Sequence, residues 1–201
     1  MSAVESLPGV PETELIAEVA AGQDENRRTA SADIKNGIGT LSERTLHAAL
    51  KRLFEPDPTC HEIRYKGFIA DIMRGDEIIE IQTRALNAMR AKLTAFLAEN
   101  KVTVVYPVVR EKWLNWVNND TGEIVSRRKS PKTGKPLDAF TELYKIKMFL
   151  RDPNLTICLQ PVDVEEYRRL DGWSRDRKKG STRAERIPTG VGEPVYLHKS
   201  A

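Results

Sequence analysis

The chain has 201 residues, 30% of them charged, and a net charge of only +3, which suits one domain with tails and leaves ample apolar sequence for a core. Two cysteines far apart, Cys60 and Cys158, and three histidines speak against a disulfide framework or a zinc site. No apolar run is long enough to cross a bilayer and the N-terminus does not read as a signal peptide, so a cytoplasmic protein with no membrane partner is expected.

Residues 1–38 are polar and begin acidic, since Glu5, Glu12, Glu14, Glu18, Asp24 and Glu25 all precede the first basic residue, Arg27. This segment reads as a flexible acidic tail with room for one short helix around Leu15 to Ala20. From Thr40 the pattern sharpens: Leu46, Leu50, Leu53 and Phe54 recur at helical spacing, Thr40 or Ser42 can cap the helix, and Pro56 and Pro58 end it. At roughly 100° per residue Glu43 falls inside the apolar stripe and His47 beside it. A glutamate there is costly to bury unpaired, so it either serves a site or, lying in the first turn, favours the positive end of the helix dipole and reaches water.

His61 to Lys66 reads as a strand, and Gly67 to Thr83, GFIADIMRGDEIIEIQT, as two more joined at Gly75-Asp76. With Gly first in a two-residue type II′ turn, Arg74 faces Glu77, Met73 faces Ile78, Ile72 faces Ile79 and Asp71 faces Glu80. Strict alternation then puts Ile69, Asp71, Met73, Ile78, Glu80 and Gln82 on one face, and Phe68, Ala70, Ile72, Ile79 and Ile81 on the other. Like charges directly opposite each other destabilise a sheet, and burial makes the pairing worse, so either one carboxyl takes a proton or a cation sits between them. A longer turn would slip the register and send one of the two to water.

Thr83 can cap the next helix, with Leu86, Met89, Leu93, Phe96 and Leu97 as its stripe, and Lys101 to Val109 reads as a buried central strand. The connection is long enough for a right-handed parallel crossover. Lys112 to Lys129 reads as a hairpin turning at Asn119-Asp120-Thr121-Gly122; it carries Trp113 and Trp116, of which one is expected in the core. Asp138 to Leu150 reads as a helix and Leu155 to Val162 as a strand that extends the sheet. The stretch RRLDGWSRDRKKGSTRAER is too charged to bury and reads as a flexible tail or a loop that orders on nucleic acid. The expected fold is α/β with a mixed sheet: a tail over 1–38, a core with its extension over 39–165, and a basic segment over 166–201.

The order of helix, three antiparallel strands, helix and strand, with Glu43 on the first helix, Asp71 on the second strand and Glu80-Ile81-Gln82 on the third, resembles the PD-(D/E)XK nuclease superfamily. The resemblance covers Thr40 to Val109 and implies a restriction-endonuclease-like core. Ala70 stands where a proline often precedes the aspartate, and Gln82 replaces the usual lysine, as in some restriction endonucleases. A longer run, from LSERTLHAALKRLFEPD to GWSRDRKKGSTRAERIPT, resembles a group of uncharacterised bacterial proteins.

The resemblance implies hydrolysis of phosphodiester bonds in nucleic acid, DNA rather than RNA, with Mg²⁺ or Mn²⁺ as cofactor. Asp71, Glu80 and the Ile81 carbonyl would hold the metal, Glu43 would complete the cluster, and Gln82 would orient the attacking water without supplying a positive charge. His47 would contact a phosphate and Arg84 would replace the missing charge. Arg127, Arg128, Lys129, Lys132 and Lys135, in the basic run after the hairpin, would contact phosphates irrespective of sequence or simply face solvent. The alternatives are a non-catalytic nucleic-acid-binding module on a degenerate nuclease fold, and a scaffold whose acidic tail meets a basic partner.

Overall fold

The computed structural model of the protein describes residues 44–170 and 182–198. The acidic tail, Glu43 and the capping residues Thr40 and Ser42 lie outside them. Helix α1 (Arg44–Phe54) leads into three antiparallel strands, β1 (His61–Tyr65), β2 (Phe68–Arg74) and β3 (Glu77–Ile81), and then helix α2 (Arg90–Leu97). There follow β4 (Lys101–Val117), β5 (Ile124–Lys129), the single helical turn α3 (Phe140–Leu143), β6 (Leu155–Arg169), β7 (Thr182–Val191) and β8 (Val195–His198). The architecture is mixed α/β. One eight-stranded sheet runs β1-β2-β3-β4-β6-β7, with β5 added to β4 and β8 to β6.

The crossover from β3 through α2 gives a parallel pair, Glu80 beside Val104 and Ile81 beside Val105, and β4 also runs parallel to β6. Buried from both sides, β3, β4 and β6 have the near-continuous Ile, Val and Leu content that such strands need. One face packs under α2 through Ile78, Val104, Ile157, Leu93 and Phe96, and the other under α1 through Leu46, Leu50, Ile79, Val105 and Val164. Among the described residues no helix is long and apolar enough to cross a membrane.

The Gly75-Asp76 turn has the expected register, with Arg74 opposite Glu77, Met73 opposite Ile78 and Ile72 opposite Ile79. Gly75 has φ of 57° while Asp76 does not share the left-handed region, as a type II′ turn requires. Strict alternation fails one step away. Phe68 and Ala70 pack into the α2 side while Ile72 packs into the α1 side, so β2 shifts its facing at Asp71. The cause lies in the neighbouring strand: Glu62, between the β1 partners of Ala70 and Ile72, has φ of 55° and interrupts the pleat there.

Other expectations need correction. Thr83 does not cap α2, because Ala85 turns through φ of 55° and a 3₁₀ turn, Leu86–Met89, precedes the helix. The helix expected over 138–150 is one α-helical turn flanked by 3₁₀ turns; Phe140, Tyr144 and Leu150 face outward, and the inward Leu143 and Ile146 are too few to hold a longer one. Neither Trp113 nor Trp116 is core. Leu114, Asn115 and Val117 are the buried residues of that stretch, and the two indoles carry the guanidinium groups of Arg127 and Arg128 at 3.9 and 5.0 Å. Strand β6 runs seven residues past Val162, and the charged segment returns as β7 beside it, so 182–198 is sheet rather than tail.

Candidate functional site

The hairpin and its two covering helices bring four charged or titratable side chains together. Asp71 donates its backbone N–H to Glu80 Oε1 at 3.3 Å, and Asp71 Oδ2 accepts the N–H of Ile81 at 2.8 Å. From α1, His47 Nε2 lies 3.2 Å from the same Oδ2, and from α2, Lys92 Nζ donates to Glu80 Oε2 at 2.5 Å. The facing shift in β2 is what lets Asp71 reach His47 on one side of the sheet while Glu80 reaches Lys92 on the other. These residues line a cleft of about 450 Å³, continued by Ile81 to Ala85 and by Ala88 and Met89.

The two carboxyls differ in their environment. Burial, reinforced by the neighbouring Asp71 charge, raises Glu80 to about 7 against the pull of Lys92. Burial also pushes Asp71 up, but the hydrogen bond and charge of His47 and the Ile81 N–H outweigh it and hold that carboxyl below its ordinary value. Asp71 is therefore the fixed anion and Glu80 the one poised to exchange its proton near neutrality.

The expected site residues are placed as follows. Gln82 N–H bonds the Val105 carbonyl, which turns the Ile81 N–H and C=O toward β2 and puts the Ile81 carbonyl on the edge where Asp71 stands. The Gln82 side chain lines the cleft, but its amide donates to the Arg84 carbonyl in its own loop rather than to either carboxylate. Arg84 is exposed on the cleft rim, on the same side as the acidic pair. Glu43 is outside the described residues, and among those no group of three or more His, Cys, Asp and Glu side chains is arranged to hold a metal ion.

The five basic residues of β5 and the loop after it do not line this cleft. Arg127, Arg128 and Lys129 stand on β5, which joins β4 at Trp113 to Val117, beyond the stretch Lys101 to Val105 that pairs with β3. Arg127 is also tied to Glu165 at 3.0 Å and Lys129 to Glu111, while Lys132 and Lys135 follow in the loop.

Lys92 is the residue sequence reasoning missed. It lies three positions after Met89 and four before Phe96, inside the apolar stripe of α2, with its ammonium 5.7 Å from the Phe96 ring. A lysine on the inward stripe of an amphipathic helix signals a buried anion, the same argument that singled out Glu43.

No solved structure matches the chain. An uncharacterised protein of Treponema pallidum (strain Nichols) is 34% identical to it over 143 residues, which make up 71% of this chain. The chain spans 57% of the length of that relative. A family model described as a domain of unknown function, DUF8091, matches residues 44–198, and the chain belongs to that family.

Proposed function

We propose that the protein is a metal-dependent nuclease with a restriction-endonuclease-like core, acting on phosphodiester bonds in DNA. The reading is carried by the Asp71 and Glu80 pair, buried side by side on a hairpin with Lys92 against Glu80. Helix, three antiparallel strands, helix and parallel strand is also the order of elements the resemblance calls for.

Asp71, Glu80 and the Ile81 carbonyl are the oxygen donors that Mg²⁺ would take here. Asp71 Oδ1 has no hydrogen-bond partner among the described residues, Glu80 has its proton affinity raised toward neutrality, and the Ile81 carbonyl faces the same edge. Two carboxylates suffice for Mg²⁺, which keeps several waters and takes its remaining ligands from substrate phosphate. When bound there, the metal supplies Lewis acidity to the scissile phosphate and lowers the pKa of a coordinated water.

The protein's own groups do the rest. His47 orients Asp71, and the Ile81 N–H fixes its second contact. Lys92 brings from α2 the positive charge that Gln82 cannot supply from the motif position, next to where negative charge grows on the phosphoryl oxygens. Arg84, on the rim, would hold a flanking phosphate. Incubation of the intact protein with supercoiled plasmid and single-stranded oligonucleotides in millimolar Mg²⁺ is expected to give cleavage, lost in Asp71→Ala and Glu80→Ala while both variants keep the wild-type circular dichroism spectrum. Cleavage that survives both substitutions removes the proposal.

The second reading, a non-catalytic nucleic-acid-binding module, is favoured by the bond that joins Lys92 to Glu80 and by the Gln82 amide tied into its own loop. It calls for metal-independent DNA binding without cleavage in the same assay.

A further inference from the structure

A second charged cluster lies on the α1 face of the sheet. Val162 and Val164 of β6 pack under Leu46 and Leu50 of α1, and the next residue on that face, about 6.6 Å along the strand, is Glu166. Glu166 is fully buried, and its carboxylate is met by Arg168 at 2.7 Å, Arg186 at 2.9 Å, Arg183 at 3.5 Å and Lys112 at 4.0 Å. Three strands, β4, β6 and β7, thus aim cations at one acid. The cluster has more donors than it has acceptors: the Arg186 Nε–H is buried and finds no acceptor. Arg183 is 45% exposed, so its charge reaches the surface.

The cluster also adjoins the cleft. Its neighbours on the sheet are the residues under α1, whose His47 lines the cleft, and β7, which carries Arg183 and Arg186, packs against α1. Glu166 is one acid among four cations, so a second anion at the exposed Arg183 would offset the remaining charge, and cations leading from a phosphodiester-cleaving cleft match the regular charge of a nucleic-acid backbone.

We propose that Lys112, Arg183 and Arg186 form a phosphate-binding ledge that holds the backbone of the nucleic acid whose scissile bond enters the Asp71 and Glu80 cleft. The ledge's link to cleavage rests on the nuclease reading; its affinity for a polyanion does not.

The test is fluorescence anisotropy of a labelled DNA duplex titrated with the intact protein in EDTA, over a series of salt concentrations, with thermal melting of each variant alongside. Arg183→Gln is expected to reduce the slope of log K against log salt by about 1, and Lys112→Gln with Arg183→Gln by about 2. Arg183→Lys is expected to restore the slope, and Arg127→Gln to leave it at the wild-type value. A wild-type slope in folded Arg183→Gln and in the folded double variant overturns the ledge, as does absence of duplex binding by the wild type. Reduced slopes in these variants uphold the ledge even if the wild type cleaves nothing, an outcome that sinks the nuclease reading instead. Asp71-dependent cleavage with unchanged KM and slope in Arg183→Gln sinks the ledge and leaves the nuclease reading standing.

Discussion

Glu80 bears the main electrostatic tension of the molecule. Its carboxyl sits near 7 instead of 4.5 because it is buried beside Asp71, so the folded state binds a proton more tightly than the unfolded chain does. Its contribution to stability is complete below pH 4.5 and declines as pH rises through about 7. Glu80→Gln, which removes the charge and keeps the shape, is expected to raise the melting temperature at pH 8 and to add up to roughly 3 kcal/mol, with little change at pH 4. Equal melting shifts at both pH values would contradict the burial argument. Lys92→Ala removes the partner that now lowers Glu80, so the carboxyl should titrate higher still and kcat should fall roughly a hundredfold or more. A Lys92→Ala variant with normal kcat and an unchanged pH profile would mean that Lys92 only neutralises Glu80. The register from Arg74 and Glu77 to Ile72 and Ile79 was legible because the turn fixes it by counting, but the one shared face expected for Asp71 and Glu80 was not found, since β2 shifts its facing between Ala70 and Ile72. Lys92 was not legible, because its partner is set by how α2 lies over the sheet.

At the scale of elements, the Gly75-Asp76 hairpin is the unit that makes the site. Gly75 has φ of 57° and open space around the position a Cβ would take, so Gly75→Ala costs only backbone strain, roughly 1 kcal/mol, read by urea denaturation. The register could be read from the sequence since turn chemistry and the apolar pattern agreed. The facing shift at Asp71 could not, because it originates in the left-handed Glu62 of another strand. Helix ends were misread where special geometry intervened, as at Ala85. The join of β6 to β7 was hidden for a different reason: Glu166 offsets charges that look unburiable when read singly. Burial opposes its ionisation, yet Arg186, Arg183 and Lys112 hold it near 2, so its contribution is present above pH 4.5 and is lost as pH falls through about 2. Glu166→Ala leaves the cations facing one another and is expected to destabilise by about 3 kcal/mol or more at pH 7, with the deficit narrowing in acid. Melting curves at pH 7 and pH 3 check both parts.

Across the whole molecule, the second half gathers its cations around one end of the long strands β4 and β6, where Leu114 pairs with Arg128 on one side and with Glu166 on the other, and Glu166 pairs in turn with Arg186. A net charge of +3 conceals this, since linear order places two basic runs in the second half and only folding brings them to neighbouring strands. Arg127 and Arg128 lie over tryptophans and Arg127 and Lys129 are paired with acids, while Lys132 and Lys135 are exposed in the loop and line no part of the cleft. Replacing Lys132 and Lys135 by Gln is accordingly expected to leave the KM for a DNA substrate within about twofold, well inside what loss of one charged contact would produce. A tenfold rise would restore the hairpin to the binding surface. The fold class was legible from the alternation of strand and helix patterns and from the length of the crossover. The pairing of the basic residues was not, because it depends on which strands meet and on which acids lie beside each base.

The most direct measurement is calorimetric titration of Mn²⁺ and Mg²⁺ into the intact protein at pH 8, with Asp71→Ala and Glu80→Ala as controls. A metal centre at the Asp71 and Glu80 pair requires one site per chain, lost in both variants and weakened below pH 7 as Glu80 takes up its proton. Binding that is absent in the wild type both alone and with a DNA duplex present, or that persists in both variants, would contradict a metal-dependent nuclease at this cleft.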